Sequence, residues 1–212
     1  MRSEGGANHY CPNETSCPPQ VKGKIQHFIS RKALNIDGLG EETIELLFEK
    51  ELIRDVSDLY VLKAEQLLLL DRMAEKSVSS LLAGLELSKN VTFERVLFGL
   101  GIRFVGETVA KKLAKHYKNI DALSKATFMD LVLVDEIGDR IAQSVIDFFE
   151  NTSNQAIISE LKLHGVQFEI IEKINPNATN KLDGKIFVVS GVFEKFSRDD
   201  LKNSIEDNGG KV

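Results

Sequence analysis

The sequence predicts a mainly α fold of four tandem units, each a helix, a five-residue turn and a second helix, and three observations predict it. A short block repeats: "IDGLGEETIELL" from Ile36, "LDRMAEKSVSSL" from Leu70, "IRFVGETVAKKL" from Ile102 and "VDEIGDRIAQSV" from Val134. The small residues at its fifth position, Gly40, Ala74, Gly106 and Gly138, are 34, 32 and 32 residues apart. Four residues past each comes Ile44, Val78, Ala110 or Ala142, and seven past it Leu47, Leu81, Leu113 or Val145. That spacing places both residues on one buried face of a helix that starts at the small residue. Upstream of each block stands another amphipathic segment: "KIQHFISRKAL", "VSDLYVLKAEQLLLL", "TFERVLFGLG" and "ATFMDLVLV".

In chain order, residues 1–22 come first and hold two cysteines, Cys11 and Cys17. A pair this close in an otherwise cysteine-free chain suggests half of a metal site more than a disulfide framework. A structural zinc takes four ligands, so the remaining donors are expected upstream; His9 is the one nearby substitute. Residues 23–165 carry the four units, with turns at 36–40, 70–74, 102–106 and 134–138. Residues 166–180, which include "NPNAT", read as a polar linker. From Lys181 to Val212 the pattern changes: Asp183-Gly184 makes a turn that feeds an apolar strand, "IFVVSG".

Composition narrows the function. The chain is 42% hydrophobic and 28% charged over 212 residues, ordinary for a globular protein with one large or two small cores. No run approaches the ~20 apolar residues of a membrane span, and the start has no apolar signal region. It reads as soluble and cytoplasmic. The net charge of -5 argues against nucleic acid until it is divided along the chain. Residues 20–32 carry Lys22, Lys24, Arg31 and Lys32 with no acid, and residues 91–120 carry six bases against two acids, so each segment is +4. Residues 33–75 are -7 and residues 121–150 are -5. Segregation of this kind can put a basic face on an acidic protein.

The turns supply the chemistry. Glycine is favoured there because it accepts positive φ and leaves no side chain between backbone and ligand. The helix that follows opens with unpaired N–H groups carrying roughly half a positive charge. Together they form an anion seat, and for nucleic acid that anion is a backbone phosphate, bound without regard to base sequence. The competing interpretation is a helical protein-interaction module whose glycines only turn the chain. Four blocks in register, two of them in basic segments, favour the phosphate. The expected contacts are the N–H groups of Gly38, Gly40, Gly106 and Gly138, with Arg31, Lys32, Arg103, Lys111 and Lys112 as phosphate partners. Each base has a solvated surface charge as its alternative. Thr108, in the first turn after Gly106, either donates to phosphate or caps its helix.

These turns resemble the helix-hairpin-helix motif, apolar-x-Gly-apolar-Gly. Ile36-Asp37-Gly38-Leu39-Gly40 matches it in full; Leu70-Asp71-Arg72-Met73-Ala74 keeps neither glycine. The third and fourth copies keep Gly106 and Gly138, with Phe104 and Glu136 in place of the first glycine. Glu136 opposes a phosphate, so the fourth copy is expected to serve mainly packing. The order of parts resembles the C-terminal half of bacterial NAD-dependent DNA ligases, the alternative being a stand-alone helix-hairpin-helix module of another DNA repair or recombination protein. "CPNETSCP" is similar to the second half of their four-cysteine zinc finger. "SRKALNIDGLG" and "GLGIRFVGE" are similar to their hairpin region, and "KLDGKIFVVSGVF" with "SRDDLKNSIEDNGGKV" to the opening of their BRCT domain.

The resemblance implies a zinc ion at Cys11 and Cys17, and a region that grips nicked duplex DNA along the minor groove in replication and repair. It also implies a monomeric parent enzyme, with NAD and Mg2+ serving an adenylating part that this sequence does not contain. No catalytic residue is expected here. Lys181-Leu182-Asp183-Gly184 has the K-x-D-G form of an adenylated lysine, but only 28 residues follow Gly184, too few for the domain such a lysine needs.

Overall fold

Two prolines start the first helix. Pro18 and Pro19 open α1 (Pro18–Ile29), where a missing N–H costs nothing and a fixed φ is already helical. Its Val21, Ile25, Phe28 and Ile29 are buried on one face. The computed structural model describes residues 17–71, 73–171, 179–191, 193, 195 and 197–212; Cys11, His9 and Arg72 lie outside the described residues, as do linker residues 172–178. The chain divides into two compact units, Met1–Ile170 and Ile171–Val212.

In the first unit, α2 (Glu41–Glu49) packs on α1 through Ile44 and Leu47. Glu41 and Glu42 in its first turn favour the helix dipole. A 3-10 turn (Asp58–Val61) leads to the four-residue α3 (Ala64–Leu67) and then to α4 (Glu75–Ser88), with α3 against α4. The segment expected to be one amphipathic helix before the second block is thus broken in two. Ser88, at the end of α4, is buried but satisfied: its Oγ donates to the Leu85 carbonyl at 2.7 Å and lies 2.8 Å from the Tyr60 hydroxyl. Burial pushes the Tyr60 hydroxyl up to about 12.

Next come α5 (Phe93–Gly99) and α6 (Glu107–Tyr117), in contact with one another, and α5 also packs on α1. Gly99 lets α5 approach α1 and the loop after it, since a Cβ there would stand 3.5 Å from Phe28 Cδ2 and 2.6 Å from Leu34 Cδ1. Helix α7 (Ile120–Ser124) is capped by the Asn119 side chain, which accepts from the Ala122 N–H at 2.8 Å. Helix α8 (Phe128–Val132) has a reciprocal cap, Thr127 Oγ1 accepting from Asp130 N–H and Asp130 Oδ2 from Thr127 N–H. Helices α9 (Asp139–Glu150) and α10 (Thr152–Leu163) then pack against each other across Asn151.

The helical unit does not stop where the linker is expected to begin. Val166 and Phe168 are buried, and residues 168–170 hydrogen-bond with 118–120: Ile120 N–H to Phe168 C=O at 3.0 Å, Ile170 N–H to Lys118 C=O at 2.8 Å. Burial of two large apolar residues holds this segment in the unit although its neighbours are polar.

In the second unit, α11 (Arg198–Asp207) is capped by Ser197 Oγ, which accepts from Asp200 N–H at 3.0 Å. A turn at 181–184 precedes the apolar run, with Gly184 at φ +72°. Among the described residues the sheet is a single parallel bridge, Ile186 to Lys211. Ile186 and Val188 are 80% and 90% exposed, so the apolar run leaves these two side chains uncovered.

Candidate nucleic-acid interface

Four helix pairs present the repeated turns: α1 with α2, α3 with α4, α5 with α6 and α8 with α9. The pattern apolar-x-x-apolar-small has a direct structural meaning. First and fourth positions plug into the core: Ile36 and Leu39, Ile102 and Val105, Val134 and Ile137 are all buried. In the second turn Leu70 and Met73 are only partly buried against the same core. The third position is left-handed, with φ +88° at Gly38, +65° at Phe104 and +64° at Glu136.

The fifth position is the N-cap, and here the structure corrects the sequence argument. Gly40, Gly106 and Gly138 have φ of -79°, -80° and -87°, in the extended region that any residue adopts, and Ala74 joins them at -83°. Positive φ is required at Gly38 alone among the glycines proposed for contact. What Gly40, Gly106 and Gly138 provide is space: a Cβ at any of them would meet nothing within 4 Å. Each of the four N-cap carbonyls accepts the N–H four residues on, from Ile44, Val78, Ala110 and Ala142 at 2.8 to 3.0 Å. Among the described residues, the N-caps of α2, α4, α6 and α9 provide no side-chain hydrogen bond to the first-turn N–H groups. Each helix start therefore offers donors and a positive dipole end to solvent, an arrangement suited to an anion.

Packing sets the turns in place. Gly38 sits against Leu81 of α4, its missing Cβ 3.4 Å from Leu81 Cα, while a Cβ at Gly84 would stand 3.2 Å from the Asp37 carbonyl. The first turn is thereby seated on α4. An open depression of about 400 Å³ lies beside this turn, lined in part by Ser30, Arg31, Asp37 and Glu41.

The cations form two groups. Lys32 Nζ is 2.7 Å from Glu107 Oε1, so the loop after α1 reaches the first residue of α6, next to Gly106. Arg31, Lys32, Thr108 and Lys111 are exposed; among the described residues Arg31 and Lys111 form no ion pair. Arg103 lies over the Phe104 ring, 4.9 Å from its centroid. Thr108 does not cap α6, which leaves its hydroxyl available to a ligand.

Lys112 is placed differently from its expected role. Its Nζ is 2.8 Å from Glu136 Oε1 and 2.9 Å from Asp135 Oδ2, both in the fourth turn. Hydrogen bonds to Glu136 and Asp135 hold the Lys112 ammonium above its ordinary range, and the same ammonium holds the Asp135 carboxyl below its own. The residue ties α6 to the fourth turn and neutralises acids there. Cys17 is the N-cap of α1 with a free thiol, and the described residues contain no cluster of three or more His, Cys, Asp or Glu that would hold a metal.

One residue that the repeat does not single out positions the basic loop after α1. The Arg95 guanidinium on α5 donates to the carbonyls of Arg31 at 2.6 Å and Lys32 at 3.4 Å. It clips the basic loop after α1 to the third unit. The sequence marks Arg95 only as one base among six; its partners are 63 and 64 residues away.

Buried apolar plugs, a left-handed third residue and an uncovered helix start define a tandem helix-hairpin-helix protein. The helix-hairpin-helix motif family matches residues 95–158, the third and fourth units, and the BRCT domain family matches residues 177–212. The whole chain aligns with DNA ligases: 66% identical over 212 residues to that of Flavobacterium johnsoniae, 61% over 211 to that of Flavobacterium psychrophilum and 57% over 212 to that of Christiangramia forsetii. Along its whole length the chain is similar to one part of these DNA ligases. It spans 32% of the length of each of these three relatives.

Proposed function

We propose that this region is the duplex-gripping, non-catalytic part of an NAD-dependent DNA ligase, active in replication and repair. It seats backbone phosphates of nicked DNA along the minor groove while an adenylating part of the enzyme, using NAD and Mg2+, seals the strand. The observation that carries the reading is the uncovered start of α6 at Gly106, flanked by Lys111, Thr108 and the Lys32 loop. The third turn is the principal seat and the first turn the second. Hairpins in pairs can address the two strands of one duplex. The second turn, with Ala74, and the fourth, with its acids, serve mainly packing. No group here is assigned to catalysis, and Lys181 lies in a turn ahead of the apolar run.

A metal belongs to the proposal only at the N-terminus. Cys11 and Cys17 supply two of the four donors of a structural zinc. They do not by themselves make a closed site, and nothing in the DNA reading depends on one.

Binding of nicked duplex should be measured by fluorescence anisotropy from 50 to 300 mM salt. Several seated phosphates predict a log–log slope of about -0.9 for each. A flat response, or no binding at low salt, favours the protein-interaction alternative. In the same assay Arg103→Ala should weaken binding and Ala74→Gly should leave it unchanged. Mass spectrometry after incubation with NAD should show no adenylate on any lysine.

A further inference from the structure

The third turn carries a side chain that its own fold does not use. Phe104 takes the left-handed position occupied in the first turn by Gly38, with φ +65°. A bulky L-residue is disfavoured there, and such outliers gather where structure serves a ligand. Its neighbours Ile102 and Val105 are 3% and 5% exposed; Phe104 is 52% exposed. The ring is not loose, because the Arg103 guanidinium lies 4.9 Å from its centroid, an attraction that orients it. It also stands two residues ahead of Gly106, within one short turn of the uncovered N–H groups of α6. A phosphate held at that seat brings the adjoining groove to the ring.

We propose that Phe104 is an apolar wedge that enters the minor groove of bound duplex DNA and partly unstacks one base step, with Arg103 holding its ring in place. The proposal rests on the phosphate-seat reading above and adds what the turn does once DNA is there. Apolar side chains inserted between base pairs bend the duplex and bring more of it onto the protein. A nick lowers the cost of unstacking because one strand is already interrupted. The +4 charge of residues 91–120 selects nucleic acid, rather than an apolar protein surface, as the occupant.

The test uses the full chain and nicked duplexes in which 2-aminopurine is moved step by step along each strand. The unaltered protein should raise fluorescence at one step. Phe104→Gly should abolish that rise and weaken binding about five- to tenfold, the scale of one lost aromatic–base stack. Its melting temperature should hold or increase, since glycine suits the left-handed backbone. Phe104→Asn, which also tolerates that conformation, repeats the test should the glycine variant fold poorly. Salt-dependent binding with no rise at any step overturns the wedge and leaves the phosphate seat standing. So does undiminished binding by both variants. No binding by the unaltered protein at low salt removes both.

Discussion

The third and fourth turns are nearly the same object in backbone and opposite objects in charge. Phe104 and Glu136 have φ of 65° and 64°, and both turns bury their apolar pair. Gly106 and Gly138 have φ of -80° and -87° with empty space before them, at the heads of α6 and α9. Around Gly106 stand Arg103, Lys111 and, through Glu107, Lys32. Around Gly138 stand Asp135, Glu136 and Asp139, with Lys112 engaged by the first two. The repeat thus fixes an open helix start, and side chains beside it decide whether an anion is welcome. Geometry is shared; electrostatics is assigned turn by turn.

The strongest way to break that comparison is to put the same carboxylate at both helix starts. Gly106→Asp should weaken nicked-duplex binding about 10- to 100-fold, through lost charge-assisted hydrogen bonds and repulsion. Gly138→Asp should cost less than about threefold by the same reasoning. Melting temperatures of both should hold or rise, because Asp is a good N-cap and no neighbour obstructs it. Equal losses of affinity would show that both turns seat phosphate.

A stability comparison separates the third position of a turn from the fifth. Gly38→Ala forces a Cβ onto a left-handed backbone and should cost about 1–2 kcal/mol in urea unfolding. Gly40→Ala, in the extended region, should cost less than about 1 kcal/mol. A larger loss for Gly40 would mean that the fifth glycine is there for the fold after all.

Converting the fourth turn is a gentler test. Glu136→Lys removes an acid, adds a base and releases Lys112 from one of its partners. Affinity at low salt should rise about two- to fivefold, and the salt slope should steepen by up to about 0.9, one more phosphate. No gain would mean that the fourth turn is out of reach of the duplex.

The smallest expected effect is in acid. Lys112 holds the folded-state pKa of Asp135 below its ordinary 3.8. The stability this contributes is present above pH 3.8 and is lost as the pH falls through the lower folded-state value. Asp135→Asn should therefore lose melting temperature less steeply below that pH than the unaltered chain. Parallel curves would show that the Lys112 bridge adds nothing to the fold.

Much of this was legible in sequence because its cause is local. A five-residue turn needs two apolar plugs, a left-handed third residue and a small cap, and each requirement writes itself at a fixed spacing. So the four units and the starts of α2, α4, α6 and α9 can be read from the repeat. The role of Gly40, Gly106 and Gly138 differs from the sequence expectation in one respect, since spacing does not distinguish a glycine needed for its φ from one needed for its emptiness. The short helix α7 and the cap of α10 carry no repeat signature, and the extension of the unit to Ile170 depends on burial of Val166 and Phe168 beside α7.

The sequence by itself determined the repeated turns, the change of character after the helical unit and the segregation of charge, since periodicity and composition are properties of the chain. Only the tertiary structure decided which charges face which turn. Lys111 and Lys112 are neighbours in sequence, yet one is exposed on α6 while the other is held by the acids of the fourth turn. Arg95 reaches back more than sixty residues to fix the loop that brings Lys32 to Glu107. Coulomb attraction falls with distance in space and takes no account of distance along the chain, so those partnerships exist only once the helices have packed.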